Sequence, residues 1–238
     1  MNTFHDYVKK THQNFNAYSQ NREDRIIKSI FDLIGDGNKR CIEFGAADGF
    51  FCSNTAYLWH GLFWQAHLAE SSPELYQQLV ANTSSYKNVT TTYDTVTSVD
   101  DLADGEIQDF VSIDVDGTDY TIWENTTLKH RVVCIEHNPT YPPHVFYHGG
   151  EWQGASAASI NRLAETKGYT LVACTRTNLI FVVNEENQFL DNYDTSLEAN
   201  FDTTDISYVV TDYHGNFDIV GNPPYNMVNK TKIGFYCE

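Results

Sequence analysis

Hydrophobic positions along this chain switch from a helical to a strand period within its first forty or so residues. Residues 21–35, "NREDRIIKSIFDLIG", put Ile26, Ile27, Ile30, Phe31 and Ile34 on one helical face, with Gly35 as a natural stop. A further helix is expected around 3–18. From residue 39 short apolar runs alternate with helical stretches. Strands are predicted at 39–45 "KRCIEFG", 62–69 "LFWQAHLA", the Thr-rich 88–93, 109–115 "DFVSIDV" and 131–136 "RVVCIE". Helices are predicted over 52–60 with a cap at Ser53, over 71–82 with Pro73 in its first turn, and within 118–128. A polar-aromatic loop runs to about residue 153. A helix closed by Gly168 follows, then two close-set strands at 169–174 and 178–184.

Repeated βα units with apolar runs bounded by turns predict an α/β, Rossmann-like fold: a mostly parallel seven-stranded sheet, covered on both faces, with an antiparallel hairpin at one edge. Residues 185–238 are richer in Asn, Asp, Thr and Tyr, and read as an irregular or β-rich C-terminal extension. With no repeat and no linker, the expectation is a single domain over 1–238, its core at about 21–184 and a helical segment at 1–20.

Charge narrows the function. The chain has 15 Lys and Arg against 32 Asp and Glu, a formal charge of −17, and its basic runs are pairs such as Lys9-Lys10 and Lys39-Arg40. Nucleic-acid binding draws most of its affinity from phosphate neutralisation, so no nucleic-acid partner is expected. The N-terminus has no signal-peptide core and no apolar run approaches a membrane span, so no membrane partner is expected and the setting reads as cytoplasmic. Five cysteines (41, 52, 134, 174 and 237) lack metal-type spacing and read as reduced, largely buried thiols.

Two stretches carry candidate chemistry. "Glu43-Phe-Gly45-Ala-Ala-Asp48-Gly49" closes the first strand, where a glycine turn lets a ligand approach the backbone; it lacks the G-x-G-x-x-G spacing of dinucleotide sites. "Ser112-Ile-Asp114-Val-Asp116-Gly117-Thr-Asp119" then sets three carboxylates after a strand too apolar to hold them inside, and "Glu136-His137-Asn138" follows the next strand. Alternation puts Asp114 and Asp116 on one side of an extended chain, and adjacent strands bring Asp114 towards Glu136 and His137. An oxygen-rich set with one imidazole suits Mg²⁺, Mn²⁺ or Ca²⁺. The bland alternatives are a turn at Asp116-Gly117 and a helix cap at Asp119.

The E-x-G-x-x-x-G turn resembles motif I of the class I S-adenosylmethionine (SAM) methyltransferases. Over about 39–184 the wording "EFGAADGFFCSNTAYL", "SIDVDGTDY" and "VCIEHNP" is similar to FkbM-like and metal-dependent sugar or small-molecule O-methyltransferases. The resemblance implies SAM held by Glu43, Gly45, Ala46, Asp48 and Gly49 of the turn, by Asn54, by Glu70 on the ribose with Ser71 beside it, by Asp94 on the adenine side, and by Asp114. It implies a divalent cation on Asp114 and Glu136, with His137 or Asn138 as third ligand, and a base drawn from His137, Asp116 and His144, with Asp114 also catalytic. The implied acceptor is a hydroxyl of a sugar or other small polyhydroxylated molecule. The alternatives are a catalytically silent SAM-fold binding or assembly module, and a nucleic-acid methyltransferase. Loop aromatics Tyr141, Phe146, Tyr147 and Trp152 form a substrate wall, a lid or a homodimer contact.

Near the C-terminus "Asn222-Pro-Pro-Tyr225" resembles the catalytic tetrapeptide of adenine-N6 methyltransferases. In those enzymes it follows strand four, a place here taken by "IDVDG", so it reads as a Pro-Pro turn in the tail.

Overall fold

The computed structural model describes residues 2–149 and 153–221. Seven strands form one sheet: β1 (Arg40–Phe44), β2 (Gln65–Glu70), β3 (Val89–Tyr93), β4 (Phe110–Ile113), β5 (Val132–Glu136), β6 (Tyr169–Cys174) and β7 (Asn178–Val183). Their order is β3-β2-β1-β4-β5-β7-β6, and β7 alone runs antiparallel to its neighbours. The antiparallel hairpin expected at one edge is there: β6 and β7 pair, β7 joins β5, and β6 forms the edge. Strand order reverses between β2 and β5 about the β1–β4 pair, which opens a crevice outside the carboxyl ends of those strands.

Alternation along each strand divides the core in two. Val133 and Ile135 of β5 pack with α4 (Asp119–Asn125) and α5 (Ala157–Lys167), whereas Val132 and Cys134 pack towards α1 (Phe4–Thr11), α2 (Glu23–Ile34) and α3 (Pro73–Thr83). Both faces of the sheet are covered, which is why β4 and β7 read as unbroken buried runs. Ser72 and Ser156 cap α3 and α5 through their hydroxyls, and Gly168 ends α5 in the left-handed conformation at φ 80°.

One predicted element is corrected. Residues 52–60 do not form a regular helix; they make a turn pinned by Glu43, followed by a single π-helical turn at Tyr57–Gly61. The segment between β3 and β4 likewise holds only a 3₁₀ turn at Val99–Asp101. After β7 the extension holds a 3₁₀ stretch at Asn184–Leu190, a four-residue α6 (Leu197–Asn200) and a separate antiparallel hairpin of β8 (Ser207–Thr211) and β9 (Phe217–Gly221). Asn222, Tyr225 and Trp152, singled out above, lie outside the described residues. No described helix is long and apolar enough to cross a membrane.

Candidate functional site

At the carboxyl end of β1 the chain turns through Gly45 at φ 73°. A Cβ there would stand 1.7 Å from the backbone oxygen of Asp114, so the close approach of β4 requires glycine at this position. Gly49, at φ 90°, owes its place to α3, since a Cβ would meet Leu79 at 2.9 Å. Gly45 is exposed, and with Ser71, Asp94 and Val115 it lines a cavity of about 100 Å³ between the ends of β1, β2, β3 and β4. Glu70, at the end of β2, accepts from the Ala47 amide at 2.9 Å and the Ser72 amide at 2.7 Å, tying the glycine turn to the start of α3.

Other residues of the turn serve the scaffold. The Glu43 carboxylate is 3 % exposed and fully engaged: Ser53 Oγ and Thr55 Oγ1 donate to one oxygen, and the Asn54 amide donates to the other. Expected beside a ligand, it instead holds the 53–55 turn against the sheet. Asn54 is buried and donates to Ser112 Oγ at 3.1 Å. Asp48 accepts from the Phe50 and Phe51 amides, and Ala46 is buried with its amide on Ala69 O. None of these four has a side chain lining the cavity.

The acidic stretch does converge. Carboxylate oxygens of Asp114, Asp116 and Glu136 lie within 4.8 Å of one another. Asp116 is not extended as alternation assumed; its φ is 57°, and the loop folds back to bring it in. Asp119 fixes that loop: buried at the first position of α4, it accepts from the Val115 amide at 2.8 Å and the Gly117 amide at 3.0 Å. Burial and then the charges of its acidic neighbours raise the pKa of Asp114; the same causes raise Glu136, in contact with Asp114. These carboxyls share protons at neutral pH or take a cation between them. An all-oxygen donor set fits a hard divalent ion.

The third-ligand expectation is corrected. Successive strand residues face opposite sides, so while Glu136 turns to the cluster His137 turns away. His137 is 2 % exposed, with Nε2 3.5 Å from Cys174 Sγ and its ring against Phe201, and burial pushes it down to about 4. Enclosed beside Cys174 and Phe201, the ring is placed neither as a ligand of the carboxylate cluster nor as a base beside it. Asn138 is engaged in its own loop, with Oδ1 accepting from Thr140 and Nδ2 donating to Gln153 O. His144 is exposed on the loop after β5. Asp116, rather than any of these, lies beside Asp114 and Glu136.

One neighbour of the site, the segment before α2, is not evident from sequence, whereas the aromatic loop after β5 is expected there. The segment before α2 crosses the strand ends: Asp24 accepts from the amides of Ala17, Tyr18 and Ser19, and Ser19 bridges to Cys52. Glu23, wholly buried, accepts from Thr175 Oγ1 at 2.6 Å and from Asn178, the residue that pairs with Glu136. On the other side His148 stacks on Tyr120, next to Asp119, with ring centroids 4.3 Å apart. Tyr141 stacks on Tyr147, and Phe146 lies under Arg162.

No protein-family model matches the chain, and no curated protein matches it in sequence. Solved structures resemble it in shape. The N-terminal domain of EvdMO1 with SAH bound is 12 % identical over 69 % of this chain and 82 % of its own, with a TM-score of 0.48. An O-methyltransferase from Bacillus cereus in complex with SAH is 13 % identical over 76 % and 88 %, at 0.48. A SAM-dependent methyltransferase from Clostridium acetobutylicum is 9 % identical over 75 % and 96 %, at 0.46. Likenesses this distant carry no functional weight. The sheet order with its one antiparallel strand itself defines a Rossmann-like α/β fold of the methyltransferase type.

Proposed function

We propose that this protein is a SAM-dependent O-methyltransferase that acts on a hydroxyl of a sugar or another small polyhydroxylated molecule with the help of a divalent cation. The observation that carries the reading is the meeting of Asp114, Asp116 and Glu136 at the strand ends, one strand from the exposed glycine turn. SAM would supply an electrophilic methyl on its sulfonium. Gly45 offers its backbone to the donor, and Glu70 keeps lone pairs for ribose hydroxyls beyond its two amide bonds. The cavity there is about 100 Å³, well under the ~300 Å³ of small ligand pockets. A nucleoside would therefore need more room than this cavity gives, and the exposed Asp94–Thr95 segment is one part of its lining that faces solvent.

Asp114, Asp116 and Glu136 would hold the cation, which lowers the acceptor hydroxyl's pKa and orients it. Asp116, the exposed member, is the residue positioned to take the proton. Tyr120 and the stacked loop aromatics supply a flat wall for a ring-shaped acceptor. A net charge of −17 favours a small uncharged acceptor over nucleic acid.

Isothermal calorimetry tests the donor. SAM and SAH should bind the folded wild-type protein, and Glu70→Gln should weaken binding by about 1–2 kcal/mol while keeping one amide acceptor. A folded protein that binds neither compound ends this reading.

A further inference from the structure

A second cavity, of about 590 Å³, lies at the outer end of β6, separated from Glu136 by β7. The first turn of α1, the start of α2, the β6–β7 turn and the residues after α6 enclose it. In a chain of net charge −17 its walls are unusual, because Lys9, Arg22, Arg25 and Arg176 all line it.

Arg25 is the informative residue. It is 5 % exposed, yet its Nε is buried without a hydrogen-bond partner among the described residues, and no described carboxylate pairs with its guanidinium. Burial lowers the pKa of Arg25 and the nearby Glu23 charge offsets this only in part, so a guanidinium edge left without a partner beside a cavity suits an anion. The obvious partners are turned elsewhere. Glu23 is bonded to Thr175, Asn178 and the Asn21 amide, and Asp24 to residues 17–19; neither lines the cavity.

Two carboxylates do line it, and both serve their own turns. Asp6 closes the capping box of α1 with Thr3, and Asp202 accepts from Thr204. Arg176 is held in a two-pronged pair with Asp205, at 2.6 Å for each contact. Arg22 and Lys9 stand exposed at the rim with no described ion pair.

We infer that this cavity is a binding site for the oxyanion of a small molecule, a phosphate or a carboxylate, with Arg25 as its buried anchor and Arg22 and Lys9 as its rim. A volume of about 590 Å³ admits a whole small metabolite around that group. The site does not depend on the methyl-transfer reading, since no residue of the acidic cluster or the glycine turn lines it.

The test is a titration of the full chain with inorganic phosphate and, separately, acetate, at constant ionic strength, followed by ¹⁵N–¹H spectra that include the Arg25 Nε resonance. Saturable shifts centred on Arg22, Arg25 and Lys9 are expected. Binding should weaken about tenfold or more in Arg25→Gln and Arg22→Gln. Saturation by phosphate alone assigns a phosphoryl ligand; saturation by both assigns a general oxyanion site. Should Arg25→Gln fail to fold, Arg22→Gln and Lys9→Gln carry the test, because both side chains are exposed. Shifts that never saturate, that chloride reproduces, or that persist in the rim variants overturn the assignment.

Discussion

Asp114 and Glu136 tie the stability of this protein to pH. Burial and neighbouring carboxylates raise Asp114 from 3.8 to about 8, and raise Glu136 as well. A raised carboxyl contributes stability that is present below its unfolded pKa of about 4 and lost as pH climbs through its folded value. Metal-free protein should therefore melt at steadily lower temperature from about pH 4 towards about pH 8. Asp114→Asn with Glu136→Gln should flatten most of that slope, leaving a remainder from Asp119, which is raised to about 6. Mg²⁺ or Mn²⁺ should restore the wild type near neutral pH, by about 2.7 kcal/mol at a hundred times its dissociation constant. Thermal melts in EDTA and in added cation check this; equal slopes in wild type and double variant would sink it. Asp114 and Glu136 were legible in the sequence because carboxylates that close apolar runs have to sit at strand ends. The same alternation that turns Glu136 inward turns His137 away, a signal present in the sequence and outweighed by the imidazole's chemistry. Glu43 was not legible, since what it binds lies ten residues or more away and depends on how the 53–55 turn folds.

Between elements, the tightest constraint is the contact of β1 with β4. Gly45→Ala puts a methyl 1.7 Å from a backbone oxygen at a positive φ, so the strand ends must part. Gly35, at the same φ of 73°, has nothing within 4 Å of an added Cβ. Gly35→Ala should cost about 1 kcal/mol of strain alone, and Gly45→Ala about 2–4 kcal/mol once crowding is added. Urea unfolding compares them directly, and equal losses would mean that the β1–β4 approach is not tight. The strands were readable from apolar runs, and α5 from its Gly168 stop. The insertion of β7 beside β5 was not, because a short hairpin connection fixes pairing between β6 and β7 but not which of them meets the rest of the sheet. Likewise nothing local marks residues 17–19 as a wall: their amides are gathered by Asp24, on the next helix. The helix expected at 52–60 failed for a similar reason, as the buried Glu43 claims the groups that would have begun it.

At the scale of the whole molecule, one sheet separates two cores, and the strands between them bury thiols on both sides of the site. Cys41 on β1 and Cys134 on β5 are each 1 % exposed or less, and burial pushes both thiols well up. Cys52 is half-buried beside the Ser19 bridge, at the mouth of the crevice, where burial and the nearby charge of Asp114 raise it less completely. These three positions make a built-in clock with two hands. In a Cys237→Ser background, a small alkylating reagent should reach Cys52 through local opening of residues 17–19. It should reach Cys41 and Cys134 together, and only at the rate of global unfolding. Peptide mapping of the labelled protein reads both rates from one sample. A compound that settles in the crevice should slow the first hand far more than the second, so that occupancy can be timed before any turnover is known. Should Cys134 label as fast as Cys52, the sheet breathes as a whole and the wall at residues 17–19 is no separate door.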